Sequence, residues 1–198
     1  MTNRHVRTLM VFGAFLAGLV LCLGVILIAR DHMVAGAPQA VAIGGPFRLT
    51  DQDGRIVTEA DLKGRPSLVF FGFTHCPDVC PTTLFDISQI MTALGPDADR
   101  TRAVFITVDP ERDTQAVLKD YLSSFDPHVS GLTGDLPSIT TVAKEYRAYF
   151  KKVPLDGGGY TMDHTAITYL MDKEGRFVSP FSLKRTPEAS AADLRSHL

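Results

Sequence analysis

The stretch Ser67-Leu68-Val69-Phe70-Phe71-Gly72-Phe73-Thr74-His75-Cys76-Pro77-Asp78-Val79-Cys80-Pro81 decides how the chain is read. Its first half, Ser67 to Phe73, is a continuous apolar run of strand length, the pattern of a strand covered on both faces. Its second half places two cysteines four positions apart, directly before Pro81. From Pro81 to Leu94 the apolar residues Leu84, Ile87, Ile90, Met91 and Leu94 recur on one helical face. Proline suits the first position of a helix, where its missing N–H costs nothing, so Cys80 is expected at the N-cap with Cys76 one loop back. A helix N-terminus, with its free N–H groups and positive dipole end, favours thiolate there. Thiolate is the form that binds a metal or attacks a disulfide.

Outward from this stretch the pattern alternates. Phe47-Arg48-Leu49 and Arg55-Ile56-Val57 flank Asp51-Gln52-Asp53-Gly54, a hairpin signal. Arg102 to Val108 is a second buried strand, followed by a helix capped by Asp113 or Thr114 and running to Ser123. Val129 to Leu132 reads as a short strand and Pro137 to Phe150 as a helix. Ala166 to Met171 and Arg176 to Val178 flank the turn Asp172-Lys173-Glu174-Gly175, and Pro187 to Leu198 closes the chain as a helix. Strands alternating with helices predict an α/β fold with a mixed sheet flanked by helices. A cysteine pair placed after a buried strand and at a helix start makes that fold thioredoxin-like.

The N-terminus differs in kind. Leu9 to Ile28 is an uninterrupted apolar run of 20 residues. At about 1.5 Å per residue it spans roughly 30 Å, the thickness of a bilayer's hydrocarbon core. It exceeds the roughly 7–15 residues of a secretory signal's apolar region, although Ala35-Gly36-Ala37 resembles a cleavage site. Cys22, preceded by Leu21, does not make a lipoprotein signal and reads as a small membrane hydrophobe. The predicted organisation is a short cytoplasmic N-terminus (residues 1–8), a single transmembrane helix (9–29), a linker rich in Ala, Gly and Pro (30–45) and one domain (46–198). Arg4 and Arg7 precede the helix, while Arg30 and Asp31 cancel after it. The positive-inside rule therefore sends the C-terminal domain across, into a bacterial periplasm.

The chain has 20 Lys/Arg and 22 Asp/Glu; Arg4, Arg7, Arg30 and Asp31 precede residue 32, leaving 17 against 21 in the domain. With no basic stripe, nucleic acid is excluded as the expected partner. Cys76 and Cys80 are the domain's only cysteines, too few for a disulfide scaffold, so they signal redox or metal chemistry. Disulfide oxidoreductases of this fold usually carry C-x-x-C and a cis-proline facing it. Here the spacing is C-x-x-x-C, and the segment Tyr160-Thr161-Met162-Asp163-His164-Thr165-Ala166 offers a histidine and no proline. A peroxidase of the fold would carry Thr three residues before its nucleophile, where this chain has Phe73 or Pro77. Two thiolates and an imidazole suit copper as Cu(I) or Cu(II). Zinc accepts the same donors, but structural zinc wants four.

Three motifs then carry a resemblance: GFTHCPDVCP (Gly72 to Pro81), VDPERDT (Val108 to Thr114) and DHTA (Asp163 to Ala166). With them the chain resembles the SCO/SenC copper chaperones of cytochrome c oxidase assembly, over about Pro46 to Val178 plus the anchor. The resemblance implies that Cys76, Cys80 and His164 are the copper ligands. It implies that Asp78 handles the metal or docking, and that Asp109 and Pro110 form the loop beside the site. It implies a metallochaperone rather than an enzyme. The implied cargo is copper for the dinuclear copper site of cytochrome c oxidase subunit II, loaded by a periplasmic copper donor. A monomer is the default state. The competing expectation is a thiol-disulfide oxidoreductase in which Cys76 and Cys80 reduce the oxidase's copper-site cysteines or sense redox state.

Other candidates read as structural. His75 is a support for the cysteine loop, Met162 a packed or exposed methionine, and His128 a surface-loop residue. Asp78 also serves as a favourable charge at a helix start, and Asp109-Pro110 as the end of a strand. Gly157-Gly158-Gly159 reads as a flexible turn, expected to move His164 toward the cysteines when metal arrives.

Overall fold

The computed structural model describes residue 10, residues 12–26 and residues 42–198. The chain divides between Val41 and Ala42. Residues 12–26 form helix α1. Among the described residues no helix is long and apolar enough to cross a membrane. The remainder of the predicted span, residues 9, 11 and 27–29, lies outside them, as does most of the predicted linker.

The second unit is built on strand β3 (Ser67–Gly72), every residue of which is buried. Its alternation sends Leu68 and Phe70 to one face and Val69 and Phe71 to the other, and a separate apolar core forms on each. β3 pairs in parallel with β4 (Arg102–Thr107) and antiparallel with β8 (Thr168–Met171). The sheet extends through β5 (Val129–Thr133), β1 (Arg48–Asp51) and β2 (Ile56–Thr58) on one side and β9 (Phe177–Pro180) on the other. The order is β2-β1-β5-β4-β3-β8-β9. Helices α2 (Val79–Leu94), α3 (Gln115–Leu122) and α5 (Pro187–Arg195) bury Leu84, Ile87, Leu118 and Leu194 on the Leu68/Phe70 face. Helix α4 (Leu136–Glu145) buries Ile139 and Val142 on the Val69/Phe71 face. This is the thioredoxin-like mixed sheet that the sequence predicts.

The two predicted hairpins share one device. Asp51 accepts from the N–H groups of Asp53 and Arg55 and pairs with the Arg55 guanidinium; Asp172 does the same with Glu174 and Arg176. An aspartate that satisfies the turn's own backbone makes each turn self-contained. Thr114 caps α3 by accepting from Val117 N–H, and Asp135 caps α4 by accepting from Ser138 N–H.

Two boundaries differ from expectation. The helix predicted to run to Phe150 ends at Glu145, because Arg147 adopts a φ of 54° and turns the chain out. Past this turn the chain forms a separate two-stranded ribbon, β6 (Phe150–Pro154) with β7 (Tyr160–His164), which the sequence pattern does not predict. In addition, residues 42–45 of the predicted linker belong to the folded unit. Gly44 donates to the Glu145 carbonyl at 2.8 Å, with a φ of 88° that only glycine tolerates comfortably beside Met171.

His128 is more than a loop residue. Its Nδ1 lies 2.6 Å from Asp126 and its Nε2 3.1 Å from Asp99, so the imidazolium satisfies both carboxylates at once. Partial burial alone would lower its pKa, but the hydrogen bonds to Asp99 and Asp126 outweigh that and hold it above the ordinary 6.5. A raised folded-state pKa stabilises the fold fully below the unfolded value of 6.5 and ceases to do so as pH rises through the folded value. The denaturation midpoint is therefore expected to fall as pH rises above the unfolded value of 6.5. His128→Gln should flatten that dependence; an unchanged slope in the variant would place its cause elsewhere.

Candidate metal centre

Strand β3 delivers the chain to the cysteine loop at its C-terminal end, beside the end of β4, where Val108 N–H donates to the Gly72 carbonyl at 2.8 Å. The loop folds back on itself through Cys76 N–H to the Phe73 carbonyl at 3.2 Å. Helix α2 starts at Val79 with Asp78 as N-cap, two residues earlier than predicted. Cys80 is thus the second helical residue and Pro81 the third, still within the turn whose N–H groups need no intrahelical partner. Cys80 N–H points at Cys76 Sγ, 3.4 Å away, which brings the two sulfur-bearing residues together.

Cys80 is 1% exposed and Cys76 half-buried. Burial pushes the Cys80 thiol up to about 12; the backbone of Phe73 opposes the shift, and Cys76 and Asp113 add to it. The helix start is expected to favour thiolate; at Cys80 burial acts the other way and prevails. Gly72 leaves room for this sulfur. A Cβ there would stand 2.8 Å from Cys80 Sγ and 2.6 Å from the Phe105 ring.

His164, at the end of β7, reaches the pair from the ribbon: its Nε2 lies 3.9 Å from Cys80 Sγ. Its Nδ1 is 3.1 Å from the Thr165 carbonyl. A carbonyl only accepts, so Nδ1 carries a proton, and in the neutral imidazole Nε2 is then the nitrogen available to a metal. The Phe73 ring meets the imidazole edge-on at 5.8 Å. The three predicted ligands therefore converge, but they do not yet form a closed cage. Among the described residues no three His, Cys, Asp or Glu side chains stand at ligating separations. The cavity that Cys80 and His164 share with Phe70, Val79, Thr83 and Ile167 is about 10 Å³, room for one small ion or water and not for an organic substrate; Cys76 does not line it.

The supporting residues divide. Asp78 is exposed and makes no cap bond with its side chain; Thr82 Oγ1 approaches it at 3.5 Å. Asp109 is 2% exposed, and its carboxylate is taken up by the Arg112 guanidinium and by the Tyr160 hydroxyl at 2.9 Å. His75 is exposed, with Nδ1 3.1 Å from Thr74 Oγ1, a loop support as expected. Met162 is buried in the core that includes Cys80.

Sequence reasoning missed Asp113, which is fully buried. It accepts from Thr74 N–H at 3.0 Å, from Thr74 Oγ1 at 2.6 Å and from Thr107 Oγ1 at 2.6 Å, tying the cysteine loop to β4. Its place in VDPERDT, with Thr114 as the actual cap, was the signal that could have separated the two roles.

The family model described as SCO1/SenC matches residues 35–198. An SCO2-like protein of Rickettsia felis is 42% identical over 150 residues, covering 75% of this chain and 73% of its own. The structure of Bradyrhizobium japonicum ScoI with copper bound is similar with a TM-score of 0.77 at 65% identity, covering 79% of this chain and 100% of that one. BsSco, a member of the Sco family of cytochrome c oxidase assembly proteins in which a disulfide switch was identified, is similar with a TM-score of 0.63 at 25% identity. That match covers 81% of this chain and 96% of BsSco.

Proposed function

Given that this chain belongs to the SCO1/SenC family, we propose that it is a metallochaperone that binds one copper ion through Cys76, Cys80 and His164 and supplies it during cytochrome c oxidase assembly. The observation that carries the reading is the convergence of a buried thiol, a second thiol and an imidazole whose Nε2 faces the sulfur. Soft sulfur retains Cu(I), and the added imidazole accommodates Cu(II). Binding displaces both thiol protons. Cys80, with its thiol pushed up to about 12, holds its proton until the metal displaces it, so metal and proton exchange there rather than a thiolate waiting in advance. The ligands' open spacing suits a cargo that must leave as well as enter.

The receiving site is the dinuclear copper centre of oxidase subunit II, whose cysteine ligands take the ion by exchange. Val79 and Ile167, exposed beside the ligands, support docking of a protein there. The apolar run Leu9 to Ile28 behind Arg4 and Arg7 supports a single-pass anchor in a bacterial inner membrane, with the domain as a monomer in the periplasm, loaded by a periplasmic copper donor.

A second reading rests on the proximity of Cys80 N–H to Cys76 Sγ and on the likeness to BsSco. The dithiol would pass two electrons and two protons to the oxidase's oxidised cysteine pair and become a disulfide itself. Copper stoichiometry and spectra on the reduced full-length chain, wild type beside His164→Ala, separate the two. Delivery predicts one copper per chain with a thiolate-to-Cu(II) charge-transfer band that the variant loses, together with oxidase assembly. Reduction predicts that His164→Ala still supports assembly while either cysteine substitution does not.

A further inference from the structure

We propose that Tyr160, clamped by Arg112 and Asp109, is the positioning residue that sets where His164 stands relative to the two cysteines. The inference rests on the copper-site reading above and extends it to residues that touch no metal.

The ribbon β6–β7 that carries His164 makes no ladder bonds to the seven-stranded sheet. Its place on the domain therefore depends on side chains and on its two ends. The turn between its strands gives no hold: residues 155–159 are exposed, and Gly158 and Gly159 take positive φ. At the His164 end, Thr165 N–H donates to the Tyr149 carbonyl at 3.0 Å, and Tyr149 N–H donates to Thr165 Oγ1 at 2.9 Å. Both are bonds of the ribbon's own stem and do not attach it to β3 or β4.

Met162, between Tyr160 and His164 on the same strand, is buried in the core with Phe73 and Cys80 and gives an apolar hold; the polar attachment is at Tyr160. Its hydroxyl donates to the buried carboxylate of Asp109 at 2.9 Å, and its carbonyl accepts from Arg112 Nη1 at 3.0 Å. Its ring lies between two cations, Arg112 and Lys152, each 3.8 Å from the centroid. Arg112 pairs with Asp109, and Lys152 pairs with Glu111 at 2.7 Å. Every group in the clamp other than Lys152 and Tyr160 itself belongs to the segment that follows β4, and β4 lies in register beside β3, which ends at the cysteine loop. The clamp thus refers the histidine ribbon to the same strand ends that present the thiols. Tyr160 and His164 are four residues apart on one strand, so they project from the same face, about 13 Å apart. A small rotation at the clamp becomes a displacement at the imidazole.

The test uses the full-length reduced chain in detergent micelles, labelled at histidine, and reads the His164 ring resonances of the metal-free protein. These report the edge-on Phe73 ring. Tyr160→Leu, with Tyr160→Phe as a milder variant that keeps the ring between its cations, is expected to move them toward the position of an exposed histidine. Amide exchange across residues 150–164 should quicken at least about tenfold, while residues 67–72 and 102–107 stay as in the wild type. Copper then added to either variant should give a spectrum shifted toward that of His164→Ala. Unmoved His164 resonances overturn the inference, as does equal loss of protection in β3 and β4. A displaced imidazole with an unaltered copper spectrum overturns it too. If the wild type itself takes up no copper, the proposed function falls, and the metal-free resonances still decide the clamp.

Discussion

Asp113→Ala is expected to lower the unfolding free energy by about 3–5 kcal/mol and to release the cysteine loop. The carboxylate is 0% exposed and accepts three hydrogen bonds, two of them from Thr74, two residues before Cys76. Removing it strands one buried backbone N–H and one buried hydroxyl, and a buried donor without a partner costs about 1–3 kcal/mol. The neighbouring His75 imidazole stands 4.0 Å away with its side chain 53% exposed. Asp113→Asn is the control. Its oxygen can still accept from Thr74 N–H and Thr107 while its amide donates to Thr74 Oγ1, so it should lose less than half as much. Chemical denaturation of the two variants beside the wild type checks the first claim, and the reactivity of Cys76 toward a thiol reagent checks the second. Equal stability of Asp113→Ala and wild type would mean that the loop is held by its own turn alone.

Gly72→Ala should damage both the core and the candidate metal centre. The backbone of Gly72 is not in the left-handed region, so the objection to alanine is purely one of space. The added carbon would meet the Phe105 ring at 2.6 Å and Cys80 Sγ at 2.8 Å, and both neighbours sit in the packed core. Overpacking of this kind costs about 1–3 kcal/mol. The sulfur is also a candidate ligand, so copper affinity should fall about 10–100-fold, as when a ligand's support is removed. Competition with a copper chelator of known affinity, run beside denaturation curves, reads both effects. An alanine variant with unchanged affinity would show that Cys80 Sγ does not need its present seat to bind.

Much of the fold was legible because it follows from short-range rules. The buried strand at Ser67–Gly72, the apolar face of α2 and the two aspartate-closed turns all arise from residues within a few positions of one another. The ribbon β6–β7 was not legible. Its strand Phe150–Pro154 alternates poorly, with two adjacent exposed lysines, and lies next to a helical pattern that hides its start. The helix start was misjudged by two residues because the preference of proline for the first turn does not distinguish its first position from its third.

The candidate site divides along the same line. The sequence by itself nominated the candidate ligands, since donor type, the four-residue cysteine spacing and the three motifs are all properties of the one-dimensional chain. Only the tertiary structure decided what those residues can do together. It set the depth at which Cys80 is buried and the tautomer of His164. It assigned Asp109 to Tyr160 and Arg112, and it made Asp113 the anchor of the loop. The contacts of Asp113 with Thr74 and of Cys80 with His164 join groups 39 and 84 residues apart in the chain, and no local pattern reports them.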